Sequence, residues 1–158
     1  MKNKKGFTLV ELLVSITIMA VLSGIILFGV TQYINKSKDS NIYANLAILI
    51  PAGEVYYNAE NASAGDGYHG FCASSVVSNA KNQIPINSIG NTGCTNAGTA
   101  GLCCAEDSSN NYQSWAACVR EFTNSAKAYC VDSRGVKKDI DNSACLLIST
   151  WTSPIKCP

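Results

Sequence analysis

Residues 4–11 read Lys-Lys-Gly-Phe-Thr-Leu-Val-Glu, and an uncharged apolar run from Leu12 to Val30 follows them directly. Only Ser15, Thr17 and Ser23 interrupt this run with polar side chains, and all three can hydrogen-bond to their own helix backbone. At about 1.5 Å per residue the run is a little under 30 Å long, close to the thickness of a membrane's hydrocarbon core. The sequence therefore predicts a helix that can cross a bilayer once.

Glu11 places a carboxylate at the edge of this apolar run, where a charge costs free energy unless it has a partner. Cleavage of the chain after Gly6 would create a free amino group on Phe7, one helical turn before Glu11. That amine could belong to the same chain or to a neighbouring one. Because no other cation lies between Phe7 and Lys36, the spacing points to a processed amino terminus as the partner of Glu11.

The stretch from Lys4 to Glu11 with its apolar continuation closely resembles the processing motif of type IV pilins and their pseudopilin relatives. In that family a membrane-embedded prepilin peptidase cuts after the glycine and methylates the new amino terminus. The glutamate neutralises the amino terminus of a neighbouring subunit during filament assembly. The resemblance covers about Lys4 to Tyr33, and it implies cleavage after Gly6, an N-methylated Phe7 and an assembly role for Glu11.

The resemblance also implies an α+β fold shaped like a lollipop, in which one long N-terminal helix packs against a small antiparallel sheet stabilised by disulfides. We expect five segments along the chain. They are a leader peptide at residues 1–6, a transmembrane and assembly helix at 7–33, the amphipathic outer half of that helix at 34–62, a connecting loop region at 63–113, and an antiparallel sheet with a cysteine-bounded C-terminal segment at 114–158.

Helical periodicity resumes after the membrane run and predicts an outer half that ends at about Ala62. Apolar side chains form one stripe that would face the rest of the protein: Ile42, Leu46, Leu49, Gly53, Tyr56 and Tyr57. The polar residues Asn41, Asn45, Glu54 and Asn58 fall elsewhere on the helix. Pro51 lies inside this pattern, and because proline removes a helix hydrogen bond, we expect a kink or a break there.

The rest of the chain changes character near residue 111. Residues 61–111 are rich in small polar residues and predict a loop, with one short helix at Ser74–Asn82 whose apolar side is Val76, Val77 and Ala80. Beyond this loop the pattern predicts strands in an antiparallel meander that covers the long helix. The predicted strands are Ser114–Phe122, Ala126–Asp132 and Val136–Ile140, with Cys145–Trp151 as a possible fourth.

All eight cysteines lie beyond the membrane run, and an even number outside the cytoplasm indicates a disulfide framework. They are Cys72, Cys94, Cys103, Cys104, Cys118, Cys130, Cys145 and Cys157. We expect a Cys145–Cys157 bridge first and a Cys118–Cys130 bridge second, with Cys103 and Cys104 bonded to different partners. A zinc site is disfavoured because there is no C-x-x-C pair and His69 is the single histidine; no metal or other cofactor is predicted.

The remaining polar residues do not predict an enzyme. His69 stands in a glycine-rich loop, Glu106 and Asp107 are expected to form a solvated patch, and the closely spaced Asp132, Asp139 and Asp141 fit turn and surface roles better than a calcium site. Removal of the leader's three lysines leaves nine basic and 11 acidic residues, a net charge of −2, so no specific nucleic-acid binding is predicted. Tryptophans are expected in the core, at Trp115 and Trp151.

We therefore predict a non-enzymatic structural subunit of a type IV pilus-like filament that serves adhesion or motility. The precursor would span the cytoplasmic membrane once, and after cleavage it would assemble with identical or related pilins into an extracellular filament. Its partners would be a prepilin peptidase and, indirectly, an assembly platform and ATPase. The alternatives are a pseudopilin of a type II secretion-like system, a membrane-anchored disulfide-rich binding module that never polymerises, a plain single-pass anchor, and an ordinary signal peptide cleaved near Val21-Leu22-Ser23.

Overall fold

A computed structural model of the chain describes residues 6–61, 67–84 and 101–158. The described elements are helix α1 (Leu9–Asn61), a 3-10 turn (Phe71–Ala73), helix α2 (Ser75–Gln83), strand β1 (Leu102–Glu106), a 3-10 turn (Ser108–Asn110), strands β2 (Trp115–Arg120), β3 (Lys127–Asp132) and β4 (Lys137–Asp141), helix α3 (Asn142–Leu146) and a last 3-10 turn (Ile148–Thr150). A long N-terminal helix followed by an antiparallel sheet with disulfides confirms the predicted α+β class.

The chain divides into two compact units, Met1–Asn35 and Lys36–Pro158. The first unit contains the start of α1, and nearly all of its described side chains are exposed. The second unit, called the head unit here, contains the end of α1, the sheet and the C-terminal segment. Among the described residues, two clusters of buried hydrophobic side chains are present, and both lie in the head unit.

The end of α1 buries the stripe that the sequence predicts. Ile42, Leu46 and Leu49 are fully buried, and Tyr56 and Tyr57 pack against the same cluster. Asn45 is buried too, contrary to the prediction, because its Nδ2 donates to both the carbonyl and the side-chain oxygen of Asn41 one turn earlier.

Helix α1 continues through Pro51, so the prediction of a break at this residue is wrong. Pro51 is exposed, and because proline has no N–H, the hydrogen bond that the Ala47 carbonyl would accept in a regular helix is missing. Leu49 and Gly53, on either side of Pro51, are both buried against the head. This packing keeps the chain helical where local preference alone would end the helix.

The four strands form one antiparallel sheet in the order β1-β2-β3-β4. Strands β2, β3 and β4 confirm the three strands predicted with most support, but β1 lies in the segment predicted as loop. The predicted strand at Cys145–Trp151 is wrong, because these residues fall in α3, the last 3-10 turn and its flanks. After β4 the chain turns back across the sheet, so that Cys145 and Ile148 cover its face instead of extending its edge.

Each face of the sheet has its own core, because successive residues of a strand point to opposite sides. Leu102, Cys104 and Val131 join the cluster that contains the buried stripe of α1 and residues of α2. Cys103 and Ile140 join the other cluster, which the C-terminal segment covers. The sheet is therefore a central layer between helices and the C-terminal segment.

Helix α2 confirms the predicted short helix to within one residue at each end, with the Ser74 side chain capping it through Val77 N. Val77 and Ala80 are buried as expected. Val76 is 37% exposed, so its assignment to the apolar side is wrong. Trp115 is fully buried, as predicted, whereas Trp151 is only half-buried and follows a 3-10 turn.

Three described disulfides join the layers: Cys72–Cys104, Cys118–Cys145 and Cys130–Cys157. Cys103 is also disulfide-bonded, which confirms that it and Cys104 have different partners. Cys94 lies outside the described residues.

Both predicted pairings are corrected. Cys118 and Cys130 do lie directly opposite each other on β2 and β3, but each bonds instead to the segment that covers their common face. Cys145 and Cys157 belong to that covering segment, which is held by two separate bridges to the sheet and is not closed on itself.

Candidate functional site

The start of helix α1 contains the residues that the sequence singles out. Because α1 begins at Leu9, Thr8 is its N-cap residue and Glu11 is its third residue. The Glu11 carboxylate accepts hydrogen bonds from the Thr8 backbone N at 2.9 Å and from the Thr8 hydroxyl at 2.8 Å, and Glu11 N donates to the Thr8 hydroxyl at 3.3 Å. This reciprocal arrangement is a capping box, which satisfies backbone donors that a helix start leaves unpaired.

Glu11 therefore has a partner within its own chain, which the sequence analysis missed. The Thr-x-x-Glu spacing of Thr8 and Glu11 was the available signal. The carboxylate's negative charge is also favourable at a helix N-terminus. Both hydrogen bonds fall on Oε2, and among the described residues Oε1 accepts none. One oxygen of Glu11 thus holds the helix start while the other remains available to a cation.

The Gly6–Phe7 junction is open to a second molecule. Phe7 is 79% exposed, and a Cβ added to Gly6 would meet no atom within 4 Å. The fold of the described residues gives no packing reason for a glycine at position 6. A requirement for glycine there would have to come from whatever recognises the junction.

The apolar part of α1 keeps its polar groups satisfied by itself. The hydroxyls of Ser15, Thr17 and Ser23 donate to the backbone carbonyls of Glu11, Val14 and Met19 in the preceding turn. By length and composition α1 is the one helix in the described ranges able to cross a membrane, and no part of its most apolar window is buried.

Residues 1–27 match the family described as the prokaryotic N-terminal methylation motif. The chain carries the type IV prepilin signature. The methylation motif and the apolar helix together support a membrane-anchored precursor, and the motif implies processing by a prepilin peptidase and assembly of the pilin type. Neither a search of curated proteins nor a search of solved structures found a match for this chain.

The carboxylates of the head unit have structural contacts that the sequence did not reveal. Asp107 is 2% exposed and accepts hydrogen bonds from the hydroxyls of Ser109, Ser114 and Ser153, so the predicted solvated patch is wrong. Burial raises the pKa of the Asp107 carboxyl, but the hydrogen bonds from these serines outweigh burial and hold the pKa below its usual range. The neighbouring Glu106 carboxylate accepts hydrogen bonds from the backbone N of Gly70 and of Cys72, at the 3-10 turn that precedes α2.

Asp132 has the turn role expected of it and a second role besides. Its buried carboxylate accepts hydrogen bonds from the backbone N of Arg134 and of Val136. It also forms an ion pair with the Arg134 guanidinium, at 2.6 Å. It also accepts from Cys157 N at 3.0 Å, which fixes the end of the chain to β3. Asp141 forms an exposed ion pair with Lys127 instead.

Asp39 joins helix α1 to the turn between β2 and β3. It is 4% exposed, and its carboxylate accepts hydrogen bonds from Phe122 N at 2.5 Å, from Thr123 N at 3.0 Å and from the Thr123 hydroxyl. Beside it, the Tyr43 hydroxyl donates to Glu121 at 3.0 Å. Burial raises the pKa of the Glu121 carboxyl, with the neighbouring carboxylates acting in the same direction.

The sulfurs of Cys103, Cys118 and Cys145 lie within 4.8 Å of one another, a distance compatible with a metal centre. A cysteine binds a metal ion as a thiolate. All three cysteines are disulfide-bonded, so their sulfurs cannot serve as a set of metal ligands. His69 is exposed, with its ring 4.4 Å from the ring of Tyr112.

Proposed function

We propose that this protein is the structural subunit of a type IV pilus-like surface filament that serves adhesion or motility. The observation that carries the proposal is the combination of the methylation motif with a helix whose first part buries nothing. The head unit has its own core, which the described part of α1 enters only from Asp39 onward. The first part of α1 is thus an apolar surface that requires a partner outside the chain.

In the proposed assembly, a prepilin peptidase cuts after Gly6 and methylates Phe7, and the processed helix then moves from the membrane into a bundle with helices of other subunits. The exposed apolar side chains of residues 9–34 are covered by lipid before this step and by neighbouring helices after it. Because apolar surface stays out of water throughout, extraction from the bilayer costs little once neighbours are present.

Glu11 is proposed to bind the amino terminus of a neighbouring subunit. Its Oε2 is held by Thr8, so the carboxylate is fixed in place before a partner arrives, and Oε1 can accept from the neighbour's Phe7 amine. A buried amine without a counter-charge is strongly destabilised, by about 3 kcal/mol or more. The Glu11 charge would therefore control assembly rather than folding.

Replacement of Glu11 by glutamine tests this role. Glutamine also serves at the third position of a capping box, so Glu11→Gln removes the charge and leaves the helix start capped. We expect normal membrane insertion and cleavage, but loss of surface filaments in electron micrographs and of this chain in the sheared fraction. The matched control is Asp141→Asn, which removes an exposed carboxylate of the head and should leave filaments unchanged. Wild-type filament yield from Glu11→Gln would refute the proposed role.

The same micrographs separate the proposed pilus from a secretion pseudopilus. Antibody labelling of this chain along filaments that extend from the cell surface supports the pilus subunit. Labelling confined to the cell envelope in cells with normal processing would identify a pseudopilin instead.

A further inference from the structure

The Cys72–Cys104 disulfide lies at an open cavity between helix α2 and strand β1. Among the residues that line this cavity are Cys72, Val77, Ser78, Lys81, Leu102 and Cys104. The volume of the cavity is about 210 Å³. Sites that hold drug-sized ligands are larger, with volumes of about 300–1,000 Å³. The cavity therefore suits a molecule of only a few atoms, and both cysteines of the bridge form part of its wall.

Cys72 is the accessible end of this bridge. It is only partly buried, whereas Cys104 is 4% exposed. In the other two described disulfides all four cysteines are at most 4% exposed: Cys118, Cys130, Cys145 and Cys157. Thiol–disulfide exchange requires a thiolate to reach a sulfur atom. Access therefore favours attack at Cys72 over attack at the other cysteines of the three described bridges.

The polar side of the cavity favours a thiol that carries a negative charge. Ser78 and Lys81 lie one turn apart on α2, so a bound carboxylate could accept from the Ser78 hydroxyl and pair with the Lys81 ammonium. Among the described residues that line the cavity, Lys81 alone is charged. The Glu106 carboxylate does not line the cavity, and its charge is partly compensated by the backbone N–H groups of Gly70 and Cys72.

We propose that Cys72 is a site of reversible thiolation by small thiols that carry a carboxylate. The incoming thiol first loses its proton to water, and its thiolate forms a bond with the Cys72 sulfur as the Cys72–Cys104 bond breaks. The Cys104 sulfur leaves as a thiolate and takes a proton from water. One disulfide replaces another, so no further oxidant or reductant is needed. Attack of the Cys104 thiolate on the Cys72 sulfur reverses the reaction and releases the small thiol.

The fold keeps Cys72 close to Cys104 while the bridge is open. Phe71, the neighbour of Cys72, is fully buried in the core cluster that α1 and α2 share. The Glu106 carboxylate also holds the 3-10 turn to β1 through its hydrogen bonds from Gly70 N and Cys72 N. None of these contacts involves a sulfur atom, so closure of the bridge requires no refolding. The inference concerns the head unit and does not depend on the proposed filament.

The test compares three small thiols of different charge on the full chain in detergent: anionic mercaptopropionate, neutral mercaptoethanol and cationic cysteamine. Each rate is measured at equal thiolate concentration and divided by the rate of the same thiol with an uncharged small disulfide. Acid quenching, alkylation of free thiols and peptide mapping locate the modified cysteine. We expect mercaptopropionate to modify Cys72 about fivefold faster than mercaptoethanol, the factor that one close charge pair gives in water, and cysteamine to be the slowest.

Variants of Lys81 separate recognition in the cavity from general reactivity of the bridge. Lys81→Gln should abolish the preference for the anionic thiol, and Lys81→Arg should retain it. The matched control is Lys138→Gln, which removes an exposed lysine of β4 and should leave the preference unchanged. Unfolding of the wild-type chain in denaturant should also abolish the preference.

Three results would overturn the inference. The first is modification of Cys104, or of a cysteine in either of the other two described bridges, as fast as that of Cys72. The second is equal normalised rates for the three thiols on the folded wild-type chain. The third is a preference for mercaptopropionate that survives Lys81→Gln.

Discussion

The indole of Trp115 lies against the backbone of helix α1 at Gly53, where an added Cβ would come within 2.8 Å of the Trp115 Nε1. Glycine is less favourable in a helix than alanine by about 1 kcal/mol. At position 53 it is nevertheless needed, because only glycine lets the fully buried Trp115 ring approach the helix this closely. The contact joins α1 to the sheet at β2. It explains why an otherwise regular apolar stripe contains a glycine.

Gly53→Ala should destabilise the head although alanine is the better helix former. Overpacking against Trp115 costs about 1–3 kcal/mol, which exceeds the helix gain. Thermal unfolding in detergent, followed by tryptophan fluorescence, measures the difference. Gly29→Ala is the matched control, because a Cβ there meets nothing within 4 Å and the variant should be at least as stable as wild type. A Gly53→Ala protein as stable as wild type would contradict the contact.

Asp39→Asn should weaken the attachment of α1 to the β2–β3 turn. The carboxylate accepts three hydrogen bonds in a buried site, and an amide that turns its NH2 toward those donors loses about 2–3 kcal/mol. Asp141→Asn removes an exposed ion pair with Lys127 and should cost less than about 1 kcal/mol. Chemical denaturation compares the two. Equal effects would show that Asp39 is no more important than a surface charge.

Asp107 should make the head sensitive to acid. Its folded pKa is lowered, so the folded state binds fewer protons than the unfolded state, and stability rises with pH through the window between the two pKa values. The contribution is complete above the ordinary value of 3.8 and is lost as pH falls through the folded pKa. Ser153→Ala removes one hydrogen bond that lowers the pKa, so it should reduce the slope of melting temperature against pH below about pH 4. An unchanged slope would contradict this assignment.

Reduction of the disulfides should loosen the head and leave the start of α1 helical, because no cysteine precedes Cys72. The Cys118–Cys145 and Cys130–Cys157 bridges each span 27 residues, and a loop of that length contributes about 3.5 kcal/mol in the chain-entropy account. The paired variant Cys130→Ser, Cys157→Ser should therefore lower the melting temperature and free the C-terminus for proteolysis. Peptide mapping that recovers a Cys145–Cys157 bridge would contradict the observed framework.

Periodic patterns in the sequence were sufficient to predict much of the fold. The stripe Ile42, Leu46 and Leu49 repeats at helical spacing, and the strands around Cys118 and Cys130 are apolar runs separated by clear turns, so both predictions are confirmed. Strand β1 could not be recognised, because its five residues Leu102–Glu106 have apolar residues on both faces and follow a loop-like composition. Residues 145–151 have strand-like composition, but the disulfide to Cys118 draws them across the sheet.

The candidate site was predictable only where its signal is local. Gly6, Phe7 and Glu11 were singled out as candidates because the motif is contiguous, and Thr8 was missed although its capping partner lies three residues away. Asp39, by contrast, meets its partner Phe122 across 83 positions of sequence, and Ser153 meets Asp107 across 46. No pattern within a short window can reveal such pairs, because the fold creates them.

The intact mass of this chain in the sheared surface fraction tests the central claim most directly. The proposed function predicts a single mature species that begins at Phe7 and carries one additional methyl group, recovered from a fraction in which electron microscopy shows filaments. Retention of Met1, or an amino terminus near Gly24 as an ordinary signal peptidase would produce, would contradict it.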